Sequence, residues 1–239
     1  MNLEFRPTIP QAPTEPSVPW SGRDTWMGVL LLALLNAALL FIATQEISKK
    51  IVQSAGLVFL ELAYLIPVGV ILVSKKIHWK HLGFGKFEWS TVGLGCGLMV
   101  GAYLFIILHN VILILIGFHT QGEAIFEILA STESPFWLVI AAVILAPPVE
   151  EIFFRGFLFQ GFRQRYGLVP GILISSLIFG LAHMDPTSLI PTFLLGAVLA
   201  YIYHRSNSVW PGIILHFLVN AFSVCALLTA MQLQEFIPL

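Results

Sequence analysis

GVLLLALLNAALLFIA, residues 28–43, is an apolar run with one polar side chain, Asn36, and no charge. A barrel strand crosses a membrane in about ten residues of alternating polarity, and this run does not alternate. A helix needs about 20 apolar residues to cross a hydrocarbon core of roughly 30 Å, and the run with its flanks supplies them. Comparable stretches recur at 27–44, 54–74, 90–117, 136–158, 169–184, 187–204 and 211–231. The expected fold is therefore all-α, a polytopic transmembrane helix bundle of about seven spans, between six and eight.

Composition supports a bilayer protein. Of 239 residues, 57% are hydrophobic and 10% charged, a balance foreign to soluble domains of this size. The net charge of −1 gives no reason to expect a nucleic-acid partner. Cys96 and Cys225 lie inside apolar spans and read as packing residues, with no disulfide framework or cysteine metal motif. Because no basic n-region precedes the first span and its apolar run is long, it reads as a retained helix rather than a signal peptide. The chain then divides into a Pro-rich polar N-terminal tail (1–26), N-terminal transmembrane helices (27–118) and a core at 136–231. Prolines at 7, 10, 13, 16 and 19 would share one ridge of a polyproline II helix, although the composition of the tail also fits disorder.

Lys and Arg in short loops favour the cytoplasm. Lys75, Lys76, Lys80 and Lys86 precede the third span, Arg163 and Arg165 the fifth, and Arg205 the seventh. The loop 118–135 has no Lys or Arg but carries Glu123, Glu127 and Glu133. This predicts a cytoplasmic N-terminus and an external C-terminus in an inner or plasma membrane, with Lys49 and Lys50 as the exception. Gly93, Gly97 and Gly101 have the small-xxx-small spacing that lets helix backbones approach, so they are expected to pack. Glu61 and His109, each alone in a span, are expected to face the bundle interior, toward each other, as structural hydrogen-bonding groups.

Three later spans concentrate polar groups. In APPVEEIFFRGFLFQGFRQRYG (146–167), Glu151 and Arg155 are four apart and can pair on a helix, which leaves Glu150 as the freer carboxylate and the better general base. The next span ends in IFGLAHMDP (178–186), with Phe179 and His183 on one face. Gly167 is the midpoint between Glu151 and His183, so a helical hairpin turning at Gly167 to Pro170 would set His183 level with the glutamates. The last span opens WPGIILHFLVNAF (210–222), where His216 and Asn220 point the same way. At about 1.5 Å per residue, His183 lies roughly 24 Å from its turn and His216 about 8 Å from its helix start. The hairpin around 160–168 should then protrude by roughly 15 Å into the cytoplasm, which its Gln160, Arg163, Gln164 and Arg165 would suit, with the site in the cytoplasmic half of the membrane. A carboxylate and an imidazole at one level can deprotonate a water, and an imidazole N–H and an Asn amide can donate to an oxyanion. The same residues could instead form a polar network that only locks helices together.

From about 136 to 224 the chain resembles the CPBP family, the Abi or type II CAAX prenyl protease group of intramembrane endopeptidases. The resemblance rests on E-E-x-x-x-R at Glu150, Glu151 and Arg155, F-x-x-x-H at Phe179 and His183, and H-x-x-x-N at His216 and Asn220, in order on successive spans. It implies peptide hydrolysis of a membrane-anchored, lipidated or sorting-signal peptide substrate by a glutamate-type protease. Glu150 and His183 would activate the water, His216 and Asn220 would form the oxyanion hole, and Glu151 with Arg155 would support the site. It favours metal-free water activation and no cofactor. A divalent metal such as zinc, if bound, would have Glu150, His183 and His216 as ligands, but no H-E-x-x-H occurs.

Other readings keep a place. The chain has no G-x-S-x-G and no G-x-G-D, and Ser175 and Ser176 read as helix-packing hydroxyls. A non-catalytic membrane immunity or interaction protein on the same fold is the main alternative. A small transporter relaying protons through Glu61, Glu150 and His183 is another, disfavoured because Pro147-Pro148 has no counterpart in the first half. No motif assigns a role to residues 1–120.

Overall fold

A computed structural model of the chain describes residues 17–43, 56–130 and 135–236. Pro7, Pro10, Pro13, Pro16, Lys49, Lys50 and Glu133 lie outside the described residues. The described residues form helices and connecting turns with no strand: α1 Gly22–Ala43, α2 Gly56–Ala63, α3 Ile66–Ser74, α4 Trp89–Leu115 and α5 Gln121–Ala130. A continuous helix α6, Phe136–Tyr166, follows, and then α7 Leu168–Ala182, α8 Leu189–Ser206 and α9 Trp210–Phe236. This is the all-α membrane bundle expected.

Among the described residues, α1, α4, α6 and α9 are long and apolar enough to cross a membrane on their own. The others are shorter. The span expected at 54–74 is two helices, α2 and α3, broken at Tyr64–Leu65, where Pro67 cannot donate a backbone N–H to continue the first. Helix α7 has 15 residues, roughly 22 Å, so it does not cross by itself. The segment 118–135 is not only a loop. Thr120 and Glu123 exchange reciprocal cap bonds, the Thr120 N–H to the carboxylate at 3.1 Å and the Glu123 N–H to the Thr120 hydroxyl at 3.3 Å, and these start α5.

The lysine-bearing end of the bundle is capped. Val18 and Trp20 are buried, the Val18 N–H donates to Gln164 Oε1 at 2.6 Å, and the Trp20 ring lies 5.3 Å from that of Phe157. The polar N-terminal segment is therefore packed structure from residue 17, and a capping box of Ser21 and Asp24 begins α1. The segment between α3 and α4 also folds over this end. Leu82 is buried, Val209 N–H donates to Gly83 O at 2.8 Å, and the Ser208 hydroxyl donates to Gly85 O at 2.8 Å.

The hairpin turns at Gly167 alone, whose φ of +90° suits a residue without Cβ. Gly171 then lets α7 lie against the backbone of Arg163, where a Cβ would come within 2.9 Å. The hairpin is not a bare protrusion into water. Gln160 and Arg163 are buried, the first donating to His81 O at 3.0 Å, the second set with Nη1 3.2 Å from His204 Nδ1 and its Cζ 5.5 Å from the Phe159 ring centroid.

The glycine stripe on α4 does not pack. A Cβ on Gly93, Gly97 or Gly101 meets nothing within 4 Å, so all three face outward in the single chain. The helix contact uses Gly95 instead, which lies against Leu215, while Val92 and Met99 pack with Leu199, Ile202 and Leu215. Small-residue spacing shows where a neighbour is allowed, not where one is.

Candidate active site

The middle of α6 departs from α-helical bonding in two stretches, Ile140–Leu145 and Glu151–Phe159, both wound as π-helix. In the first, the Ala146 N–H reaches Ala141 O, a bond to the fifth residue back. Continuing that register, the carbonyl of Ala142 would look to residue 147, and Pro147 has no N–H to give. Asn220 supplies the missing donor, its Nδ2 lying 2.8 Å from Ala142 O. The proline pair and the asparagine thus account for each other, and the bond fixes α9 against α6.

One turn earlier on α9, His216 is buried between the two glutamates. Its Nδ1 is 3.3 Å from Glu151 Oε1 and its Nε2 is 3.8 Å from Glu150 Oε2. Gly212, a further turn back, leaves room for the Glu151 carboxylate, which a Cβ there would strike. Glu151 and Arg155 form the expected ion pair, Oε1 to Nη1 at 2.7 Å, with both side chains buried. Arg155 also donates from Nη2 to Gly196 O at 3.4 Å.

Phe179 organises the rest. The Arg155 guanidinium lies 4.3 Å from its ring centroid, a cation–π distance. The rings of His183 and His216 sit 4.8 and 5.9 Å from the same phenyl, both steeply inclined to it. His183 Nδ1 is 2.9 Å from Phe179 O. A carbonyl only accepts, so Nδ1 carries the proton, and neutral His183 has its lone pair on Nε2.

A cavity of about 690 Å³ takes in Glu150, His183, His216 and Asn220 together. Glu151 does not line it and stands behind, with Arg155. The hairpin at Gly167 thus brings His183 to the same chamber as Glu150, while Glu151 is the glutamate paired with Arg155. Glu150 Oε2 is buried with no hydrogen-bond partner. Where the resemblance implies two oxyanion donors, His216 has both ring nitrogens toward carboxylates, and one N–H of Asn220 is committed to Ala142.

Beyond Glu150 and the two histidines the lining is mainly apolar, including Met99, Ala102, Ile106, Leu195 and Val219. Polar residues outside the motifs also line it, Glu61 and Tyr64 among them. Glu61 does not meet His109, whose Nδ1 is 3.2 Å from Asn110 Oδ1. A lone glutamate in an apolar span was the available signal, but without a motif around it the sequence assigned it to structure. Among the described residues, no group of three or more His, Cys, Asp or Glu side chains is arranged to hold a metal ion.

Comparison with known proteins bears on this region. Residues 132–222 match the family described as Type II CAAX prenyl endopeptidase Rce1-like. The chain is also 33% identical over 87 residues to a Bacillus subtilis (strain 168) protein named "Putative membrane peptidase YdiL", a match covering 36% of this chain and 36% of that protein. The matched stretch thus spans about a third of the relative's length. No solved structure matches the chain. Both findings support the CPBP, or CAAX protease, family that the three motifs resemble.

Proposed function

We propose that the chain is an intramembrane endopeptidase of the glutamate type, hydrolysing a peptide bond of a membrane-associated or lipidated substrate. The observation that carries this reading is the pairing of two unspent acceptors in one chamber. Glu150 Oε2 has no hydrogen-bond partner, and the Phe179 bond at Nδ1 leaves His183 Nε2 as the accepting nitrogen. A water held by these two groups loses its proton to Glu150 as its oxygen attacks the scissile carbonyl carbon. Positioned general-base catalysis of this kind contributes on the order of 10²–10⁴-fold. The remaining N–H of Asn220 is the oxyanion donor, and His216, whose Nδ1 faces Glu151, adds a second from Nε2 when it carries both ring protons. Arg155 holds Glu151 in place. No metal and no other cofactor enters this scheme. The apolar walls suit the aliphatic part of a lipid-bearing or membrane-anchored peptide. The N-terminus lies in the cytoplasm and the C-terminus outside, in an inner or plasma membrane.

The test uses full-length protein in proteoliposomes and a fluorogenic peptide ending in a farnesylated CAAX sequence, alongside the same peptide unlipidated. Glu150→Gln keeps the shape of the side chain and removes the base. Cleavage by wild type with a loss on the order of 10²–10⁴-fold in Glu150→Gln is expected. Undiminished cleavage by Glu150→Gln would remove the centre of the reading. Farnesylated and plain peptides cleaved equally well would remove the lipid from the substrate class.

A further inference from the structure

We propose that Glu61 is a second catalytic carboxyl, the proton donor to the leaving amine, a step that rests on the hydrolytic reading above. Its position comes from the broken second span. Helix α2 ends at Ala63, the chain turns at Tyr64–Leu65, and α2 packs against the Ile140–Leu145 and Ala146–Glu150 stretches of α6. Glu61 therefore lines the same cavity as Glu150. Its Oε1 is buried and has no hydrogen-bond partner. The adjacent Tyr64 hydroxyl is spent elsewhere, donating to Asn36 Oδ1 at 2.7 Å.

Counting charge around the chamber gives the protonation state. The acidic groups are Glu61 from α2 and Glu150 and Glu151 from α6. The facing groups are Tyr64, Tyr103, His183 and His216, and among the described residues the nearby cation is Arg155. Arg155 is paired with Glu151. Glu61 Oε1 is buried and unpartnered in this low-dielectric cavity, and burial alone favours the neutral acid there. Of the two cavity carboxyls, Glu61 is the better holder of a proton. It lies in the last turn of α2, where the helix dipole opposes a negative charge, whereas Glu150 has His216 Nε2 at 3.8 Å.

The chemistry needs such a donor. Water attacks the carbonyl carbon and passes one proton to Glu150, forming the tetrahedral intermediate. When the C–N bond breaks, its electron pair goes to nitrogen, and an amine leaves only if that nitrogen gains a proton. Glu151 is tied to Arg155, and the Nδ1 proton of His183 is held by Phe179 O. Glu61 gives its proton to the nitrogen and becomes a carboxylate. The proton on Glu150 then returns to Glu61, and the net change is peptide plus water to acid plus amine.

Two measurements on full-length protein test this. The first is the infrared carbonyl band of a protonated carboxyl at neutral pH, with Glu123→Gln as an exposed control. The band is expected to vanish in Glu61→Gln and to persist in Glu150→Gln and in the control. Persistence in Glu61→Gln, or loss in Glu150→Gln, overturns the assignment. The second compares matched peptide and ester versions of the farnesylated fluorogenic probe, because an alkoxide leaves with less need of a proton. Glu61→Gln should lower kcat on the amide by on the order of 10²-fold with KM unchanged, and spare the ester. Glu61→Asp, which keeps an acid, should restore part of the amide rate. Equal loss on both probes, as a merely structural role would give, or no loss on the amide, sinks the proposal. Glu150→Gln should lower both by on the order of 10²–10⁴-fold, and if it lowers neither, the hydrolytic reading itself fails.

Discussion

The two ends of α6 belong to one helix and live in different surroundings. From Glu151 to Arg163 almost every side chain is buried: Phe153, Phe157, Phe159 and Phe162 are 0% exposed, under Trp20, Leu82 and Val209. From Phe136 to Leu145 the same helix exposes Phe136 and Ile144 and borders the cavity through Leu138, Val139, Ala141 and Ala142. Glu150 and Glu151 sit at the border. In lipid, where tails are as apolar as leucine, close packing and buried polar bonds hold helices together more than hydrophobicity does. The closed end supplies that rigidity, and the hollow end holds the cavity. If the contrast is real, substitutions at the closed end should damage stability, and small ones on the lipid-facing surface should not.

The largest effect is expected at Arg155. Changing it to Met removes one partner of a buried ion pair and strands the Glu151 carboxylate, which costs about 3–5 kcal/mol. Thermal unfolding in detergent should show a clear drop, and adding Glu151→Gln to Arg155→Met should recover much of it. If Arg155→Met unfolds like wild type, the closed end is not held by this pair.

The next effect is steric. A Cβ at Gly156 would stand 2.7 Å from Leu82 O and 3.4 Å from Val209 Cγ1. Backbone cannot rotate away as a side-chain tip can, so Gly156→Ala should cost about 1–3 kcal/mol by overpacking. The same unfolding assay reads it. An unchanged midpoint would mean that the segment crossing over this end is loosely seated.

Much of this border was legible in the sequence because short motifs on helices fix relative positions. Glu151 and Arg155 at four apart, Phe179 and His183 at four apart, and a hairpin centred on Gly167 were enough to predict one chamber. What was hidden depends on partners far along the chain. The role of Asn220 as donor to Ala142 needs the π register that ends at Pro147, and spacing on α9 alone carries no trace of it. Trp20 sits in a polar, proline-punctuated stretch, so its burial against Phe157 follows from the cap rather than from local pattern. Glu61 has no motif around it, and only the folded cavity shows that it shares a chamber with Glu150. The start of α5 could have been found, since Thr120 and Glu123 have capping-box spacing.

The glycine stripe gives the smallest effect and the sharpest contrast with Gly156. Both Gly101 and Gly156 are glycines inside helices of the same membrane bundle, and composition does not separate them. At Gly101 an added Cβ meets open space, so Gly101→Ala removes backbone freedom from the unfolded chain without a clash. It should therefore raise stability by up to about 1 kcal/mol, opposite in sign to Gly156→Ala. Detergent-solubilised monomer is the right sample, because a second copy seated on the stripe would bring a backbone to Gly101 and reverse the sign. A loss of stability in the monomer would mean that α4 packs its glycine face within the chain after all, and that α4 sits closer to the bundle than its outward-facing glycines indicate.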